Sequence, residues 1–178
     1  MKRAFLGILA ALALLAAPAL ASLNDGAKAP DFTLQATKGG KVFTFHLADA
    51  LKQGPVVLYF YPAAFTPGCT IEAHDFADAI GKYAALHATV IGVSHDPLGK
   101  LQRFSVSECR SKFAVAADTD QTVEKAYDAI LSAHPQYANR TSYVIAQDGT
   151  IVYSYTALDP SQHVANTLAA LKKLENKS

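Results

Sequence analysis

Hydrophobic positions along the chain recur in short and long periods that predict strands alternating with helices. The runs "DFTLQ" (31–35) and "KVFTFHL" (41–47) are separated by a Gly-Gly turn and predict two early strands. The continuous apolar runs "PVVLYFY" (55–61) and "TVIGVS" (89–94) are typical of strands buried on both faces. Between these two runs, apolar residues recur near helical spacing from Pro67 to Leu86, which predicts a long helix.

The second half of the chain continues the alternation. Asp96 followed by Pro97 predicts a helix start, with Asp96 as N-cap and Pro97 in the first helical position. We expect this helix to carry Cys109 near its end. The remaining elements are predicted as a strand in "FAVAAD", a helix in "QTVEKAYDAI", a hairpin around Asp148-Gly149 and a helix after Pro160.

This order of elements predicts an α/β fold with a central mixed β-sheet flanked by helices. Strands that alternate with helices pair in parallel, because the helix carries the chain back across the sheet. The terminal hairpin adds an antiparallel pair, which makes the sheet mixed. A thioredoxin-like fold fits the order, although the order alone also suits other α/β folds.

The first residues have the pattern of an export signal. Lys2 and Arg3 precede a long apolar run, and Ala19-Leu20-Ala21 is typical of a cleavage site. The run is short for a bilayer span, which needs about 20 apolar residues. We therefore predict a signal peptide at residues 1–21 and one mature domain at residues 22–178. The mature chain is expected to be periplasmic or secreted, without a membrane anchor.

Charge and cysteine content restrict the possible partners. The chain has 16 basic and 15 acidic residues and no basic stripe, so neither nucleic acid nor an anionic membrane surface is an expected partner. Its two cysteines and scattered histidines lack the spacing of a metal site. In an oxidising compartment two cysteines most often form a structural disulfide, so a static Cys69–Cys109 disulfide is one alternative.

The stretch "FYPAAFTPGCTIEAH" places Cys69 at the predicted start of a helix. With Pro67 in the first helical position, Thr66 becomes the N-cap and Cys69 the third helical residue. We expect the Thr66 hydroxyl to accept the Cys69 N–H. The free N–H groups and positive dipole end of a first turn favour the thiolate, the reactive form of cysteine. Cys69 is therefore a candidate nucleophile, and the absence of a C-x-x-C pair disfavours a disulfide exchanger.

Four stretches together resemble one known family. "PAAFTPGCT" (62–70) resembles the P-x-x-x-T-x-x-C motif of peroxiredoxins, and its Thr-Pro-Gly-Cys-Thr wording is similar to the Q-type, or bacterioferritin-comigratory, branch. The stretches "APDFTL", "VIGVSHD" and "RTSYVIAQDGTI" resemble the family's entry strand, its next strand and its arginine-bearing strand with hairpin. The likeness covers most of residues 29–154.

The resemblance implies a thioredoxin fold and a thiol peroxidase activity without metal, haem or flavin. The family's motif residues correspond here to Pro62, Thr66, Cys69 and Arg140. By resemblance, Cys69 is the peroxidatic nucleophile that peroxide oxidises to a sulfenic acid, the first and reversible oxidation product of cysteine. Arg140 and the Thr66 hydroxyl would stabilise the charge that develops on the peroxide oxygens. Pro62 would shield the thiolate from water.

A second cysteine is needed to resolve the sulfenic acid within one chain. Many Q-type relatives place it five residues after the nucleophile, where this chain has His74, which we interpret as a helix residue without a catalytic role. Others place it on the following helix, where Cys109 lies. The resemblance therefore implies an intramolecular Cys69–Cys109 disulfide, formed after local unravelling. The alternatives are an external thiol that reduces Cys69 directly, or an intermolecular bond.

The expected partners follow from this assignment. Hydrogen peroxide and small organic hydroperoxides are the expected substrates, and a thioredoxin-like protein or small thiol is the expected reductant. Q-type relatives are often monomers, so we expect a monomer. Two readings of other classes stay open at this point: a non-catalytic thioredoxin-fold binding or holdase module with a static disulfide, and a general protein disulfide exchanger.

Overall fold

Seven strands form one mixed sheet in the computed structural model, which describes residues 22–176. The predicted signal peptide at residues 1–21 lies outside the described residues. Across the sheet the strands run in the order β2-β1-β5-β4-β3-β6-β7. Their bounds are β1 Thr33–Lys38, β2 Lys41–His46, β3 Val56–Phe60, β4 Thr89–Ser94, β5 Ala114–Ala117, β6 Thr141–Ile145 and β7 Ile151–Thr156.

Within residues 22–176, five α-helices pack on the two faces of this sheet. The long second helix and the two apolar strands β3 and β4 confirm the predictions from periodicity. A single 3-10 turn at Pro160–Gln162 leads into the last helix. The helix bounds are α1 Leu47–Leu51, α2 Pro67–Ala85, α3 Leu98–Ser107, α4 Thr122–Ala126 and α5 His163–Glu175.

The centre of the sheet is parallel and its margins are antiparallel. β3, β4 and β5 run parallel, as the intervening helices require. β6 pairs antiparallel with β3 and with β7, and β1 pairs antiparallel with β5 and with β2. The mixed sheet with flanking helices confirms the predicted fold class.

Strand β3 has a hydrophobic core on each side. Val57 and Tyr59 face the cluster formed with α2, α3 and α5, whereas Val56, Leu58 and Phe60 face the cluster formed with α1 and α4. Successive side chains of a strand point to opposite faces. An apolar residue at every position is therefore what a strand covered on both faces requires.

A glycine in β4 lets the helix that carries Cys69 approach the sheet. A Cβ at Gly92 would lie 2.7 Å from the Tyr59 ring, so a larger residue would displace that ring. The ring stacks on Phe76 of α2 with its centroid 4.4 Å away. The close packing of Gly92, Tyr59 and Phe76 fixes the height of α2 above the sheet.

The prediction for the start and end of α3 is wrong. Pro97 is the N-cap and Leu98 begins the helix, because the Asp96 carboxylate turns inward and accepts the N–H of Ala64 at 2.7 Å. The helix ends at Ser107, so Cys109 lies in the turn beyond it. The Cys109 N–H still donates to the Phe104 carbonyl at 3.0 Å, which holds this turn against the helix.

Candidate active site

Cys69 lies in the first turn of α2, at the carboxyl edge of the sheet. β3 ends at Phe60 and a short loop leads to Pro67, the first helical residue. Pro62 is half-buried in this loop. The Cys69 side chain is buried, with 2% of its surface exposed, and it is a free thiol. The edge position is where open α/β sheets place their ligands.

Thr66 is the N-cap of α2, but its hydroxyl does not make the predicted bond. The hydroxyl donates to the Ala63 carbonyl at 2.9 Å instead of accepting the Cys69 N–H. The preceding residue, Phe65, adopts a left-handed φ of 68°, which turns the chain back so that Ala63 comes within reach. Thr66 therefore closes the turn that precedes the helix.

Asp96 attaches this turn to the neighbouring strand end. Its carboxylate accepts the Ala64 N–H and, at 3.0 Å, the Ser94 hydroxyl at the end of β4. Lys100 on α3 pairs with the other carboxylate oxygen at 2.7 Å. Asp96 is 3% exposed, so these charged hydrogen bonds are protected from water. They hold the loop before Cys69 against two other elements.

Arg140 reaches the sulfur of Cys69 from the adjacent strand. In the register of β3 with β6, Phe60 lies opposite Thr141, so the residue before Thr141 stands beside the loop that follows Phe60. The Arg140 Nη2 is 3.5 Å from the Cys69 Sγ, and the arginine is only 4% exposed. The guanidinium thus places a fixed positive charge and an N–H donor beside the sulfur.

Glu72 completes the site, and the sequence reasoning missed it. It lies three residues after Cys69 on α2, so both side chains share one face of the helix. Its Oε2 accepts from the Nη1 of Arg140. Burial raises the pKa of Glu72 to about 8, against the lowering effect of Arg140. The helical i, i+3 spacing from the nucleophile was the available signal.

The backbone carbonyl of Leu158 binds the remaining nitrogen of the Arg140 guanidinium. Arg140 Nε donates to this carbonyl at 2.8 Å. Each of the three nitrogens thus has a separate partner: Leu158 for Nε, Glu72 for Nη1 and Cys69 for Nη2. Because a guanidinium is planar and rigid, two fixed nitrogens determine where the third one points.

Cys109 occupies an apolar part of the same core. It is fully buried and belongs to the same hydrophobic cluster as Cys69, and it is also a free thiol. Burial raises the pKa of Cys109, and the neighbouring Glu108 raises it further. Phe104 of α3 stacks on Tyr61 at 5.7 Å and meets Phe65 edge-on at 5.2 Å. These rings join the Cys109 segment to the loop before Cys69.

Polar contacts also connect α2 to the turn that carries Cys109. His74 Nε2 lies 2.9 Å from a Glu108 carboxylate oxygen, and Arg110 pairs with Asp78 at 2.5 Å. Lys112 donates to the Ala77 carbonyl at 3.0 Å. His74 therefore faces the Cys109 turn and ties the two segments together.

Some kinds of site are absent from the described part of the chain. Among residues 22–176, no group of three or more His, Cys, Asp or Glu side chains is arranged to hold a metal ion. Within the same range, no helix is both long and apolar enough to cross a bilayer.

Comparison with known proteins gives consistent results. The model of the AhpC/TSA family matches residues 26–154. Peroxiredoxin Bcp of Bacillus subtilis is 32% identical over 161 residues, which cover 88% of this chain and 99% of that protein. The chloroplastic peroxiredoxin Q of Triticum aestivum is 33% identical over 153 residues, which cover 85% of this chain and 68% of that protein.

Solved structures agree with the sequence relatives. The crystal structure of peroxidoxin BcpB from Mycobacterium tuberculosis superposes with a TM-score of 0.76 at 31% identity, covering 84% of this chain and 96% of that one. A reduced 2-Cys peroxiredoxin of Plasmodium vivax, with a TM-score of 0.77 at 18% identity over 86% and 97% of the two chains, supports the fold alone. From the family match and these relatives, the chain belongs to the AhpC/TSA family and is a peroxiredoxin, a thiol peroxidase.

Proposed function

We propose that Cys69 is the peroxidatic cysteine and that Arg140 is its main electrostatic partner. The observation that carries this proposal is the 3.5 Å contact between Arg140 Nη2 and the Cys69 sulfur in the first turn of α2. A buried thiol needs such a partner to ionise, because burial alone disfavours the charged form. The helix end and the guanidinium together supply it.

The reaction proceeds by nucleophilic displacement at oxygen. The Cys69 thiolate attacks the terminal oxygen of a hydroperoxide, so that a sulfur–oxygen bond forms while the oxygen–oxygen bond breaks. The sulfur is oxidised to a sulfenic acid, and the leaving hydroxide or alkoxide takes a proton from water to become water or an alcohol. Negative charge moves from sulfur to oxygen in this step, and Arg140 stays beside both.

The remaining residues of the motif support this step from the loop. Thr66 closes the turn before α2, and its oxygen is free to accept the O–H of a hydroperoxide. Pro62 occupies the same loop and limits access of water to the first turn. Hydrogen peroxide and small organic hydroperoxides are the substrates we propose.

Cys109 is the resolving cysteine in this proposal. Its thiol attacks the Cys69 sulfenic acid, so that a disulfide forms and water leaves. A disulfide needs Cα atoms about 4.4–6.8 Å apart, so the Cys69 and Cys109 segments must come within that distance after oxidation. Two backbone angles support opening of this turn: Arg110 and Ser111 after Cys109 both adopt left-handed φ values, 51° and 58°, which are costly for residues other than glycine.

A reductant and a location complete the proposal. A thioredoxin-like protein or a small thiol would reduce the disulfide and return both cysteines to free thiols. The Lys2-Arg3 start and the Ala19-Leu20-Ala21 site support export, cleavage after residue 21 and a periplasmic or secreted enzyme. We propose that the enzyme acts as a monomer.

Rapid kinetics on two variants test the assignment. Wild type should consume one equivalent of hydrogen peroxide in a fast phase without reductant, and Cys69→Ser should consume none. Cys109→Ser should keep the fast phase but fail to form a disulfide by mass spectrometry and lose turnover with a thioredoxin-type reductant. Normal turnover of Cys109→Ser would instead support resolution by an external thiol. A peroxide-inert wild type with both thiols permanently bonded would support the holdase alternative.

A further inference from the structure

A buried histidine stands behind the guanidinium that faces Cys69. His163 is the first residue of α5 and is fully buried. Its Nδ1 lies 3.7 Å from Glu72 Oε1, on the side of the carboxylate away from Arg140. At this distance His163 packs beside the Glu72 carboxylate without a hydrogen bond to it, whereas Arg140 donates to the other oxygen.

His163 is itself held in one orientation. Its Nε2 is 2.9 Å from the Ala157 carbonyl, which can only accept, so Nε2 carries a hydrogen. Burial lowers the pKa of His163 to about 4, so the ring is neutral and Nδ1 accepts the Ser142 hydroxyl at 2.8 Å. The Tyr155 ring meets the imidazole edge-on at 4.8 Å. Three elements of the fold fix this ring.

The same histidine also anchors the second acceptor of Arg140. Arg140 Nε donates to Leu158, and His163 Nε2 donates to Ala157, the preceding residue. The Ala157 N–H in turn donates to the Arg140 carbonyl at 3.1 Å. Leu158 has 56% of its surface exposed, so packing of its side chain holds the segment only weakly. His163 therefore stabilises the carbonyl that Arg140 uses.

We propose that His163 is a positioning residue for peroxide reduction. It fixes the Leu158 carbonyl through the neighbouring Ala157, and this acceptor helps to aim the Nη2 nitrogen of Arg140 at the Cys69 sulfur. His163 does not touch the reacting atoms. The inference rests on the proposed roles of Cys69 and Arg140, and its effect runs through the guanidinium.

The test is the rate at which hydrogen peroxide oxidises Cys69, measured by stopped-flow in single turnover. His163→Phe keeps a ring but loses both hydrogen bonds, and we expect the second-order rate constant to fall about 10- to 100-fold. His163→Gln, whose amide nitrogen can still donate to Ala157, should recover part of the loss. Disulfide closure after oxidation should keep its wild-type rate, because that step does not use Arg140.

Two controls separate positioning from simple destabilisation. Thr167 lies one turn after His163 on α5, and Thr167→Val removes its buried hydrogen bonds to Tyr83 and to the His163 carbonyl. This variant should leave the oxidation rate unchanged. In an Arg140→Met background, His163→Phe should cause no further loss, since two residues in one pathway are not additive. If His163→Phe does not fold, Ser142→Ala replaces it, with a smaller slowing expected.

The outcomes are distinct. A wild-type oxidation rate in His163→Phe, an equal loss in Thr167→Val, or an undiminished loss in the Arg140→Met background would each overturn the positioning role. None of these results would affect the proposed function. Failure of wild type itself to consume peroxide would overturn the function instead.

Discussion

The two cysteines share one hydrophobic cluster but lie in opposite electrostatic surroundings. Cys69 stands in the first turn of a helix with a guanidinium 3.5 Å from its sulfur. Cys109 stands beyond a helix end, where burial and Glu108 both raise the pKa of its thiol. Because both thiols are buried, their difference lies in the charges beside them: a guanidinium at Cys69 and a carboxylate at Cys109.

Replacement of each cysteine by serine should give the largest difference between the two sites in the rate of peroxide consumption. Cys69→Ser removes the nucleophile, so peroxide consumption should fall to the level of buffer alone. Cys109→Ser should leave the first oxidation step within about twofold of wild type, because the Arg140 contact is intact. Both rates are measured by stopped-flow with hydrogen peroxide. Equal losses in the two variants would show that the cysteines do not differ in role.

Removal of the Arg140 guanidinium should bring the reactivity of Cys69 closer to that of Cys109. Arg140→Met should slow Cys69 oxidation by about 10²- to 10³-fold, the usual cost of losing one donor aimed at developing charge. Arg103→Lys, on the exposed face of α3 where Arg103 donates only to its own helix, is the matched control and should have no effect. Stopped-flow measurements with hydrogen peroxide give both rates.

The raised pKa of Cys109 should appear in the stability of the protein at alkaline pH. An unfolded thiol ionises above about pH 8.5, whereas folded Cys109 keeps its proton. The unfolded state then binds fewer protons, so the free energy of unfolding falls as pH rises through this range. The limiting slope is about 1.4 kcal/mol per pH unit.

Urea denaturation at pH 7.0 and at pH 9.5 measures this loss. Several buried tyrosines have raised pKa values of their own, so the comparison is with Cys109→Ser, which retains them. Wild type should lose about 1 kcal/mol more than the variant between the two pH values. An identical pH dependence would mean that Cys109 is accessible to solvent.

The smallest effect is expected at the polar contact between the two cysteine segments. His74→Ala removes the partner of Glu108, and such a half-exposed pair contributes less than about 1 kcal/mol. Looser attachment of the Cys109 turn should speed disulfide closure a few-fold, while the preceding oxidation keeps its rate. Lys28→Ala, which breaks an exposed pair with Asp148 at the far hairpin, is the control. Slower closure in His74→Ala would mean that this contact guides Cys109 rather than restrains it.

Much of the fold could be predicted from the pattern of apolar residues along short stretches of the chain. The fully apolar β3 and the helical period after Pro67 depend on neighbouring residues, and both elements are confirmed. The prediction for Asp96 failed because Asp-Pro is a sound local signal for a helix start, yet the carboxylate found a better partner in Ala64, distant in sequence. The prediction for the Thr66 hydroxyl failed for a local reason, since the left-handed backbone of Phe65 brings the Ala63 carbonyl within reach.

By itself, the sequence determined the α/β architecture and placed a cysteine at a helix start, because periodicity and capping act within a few residues. Only the tertiary structure decided what surrounds that sulfur. Arg140 reaches Cys69 through the register of β6 on β3, and Glu72 and His163 meet because α2 and α5 pack together. Such contacts join residues far apart in the chain, and their energies depend on distance and burial, which no local pattern encodes.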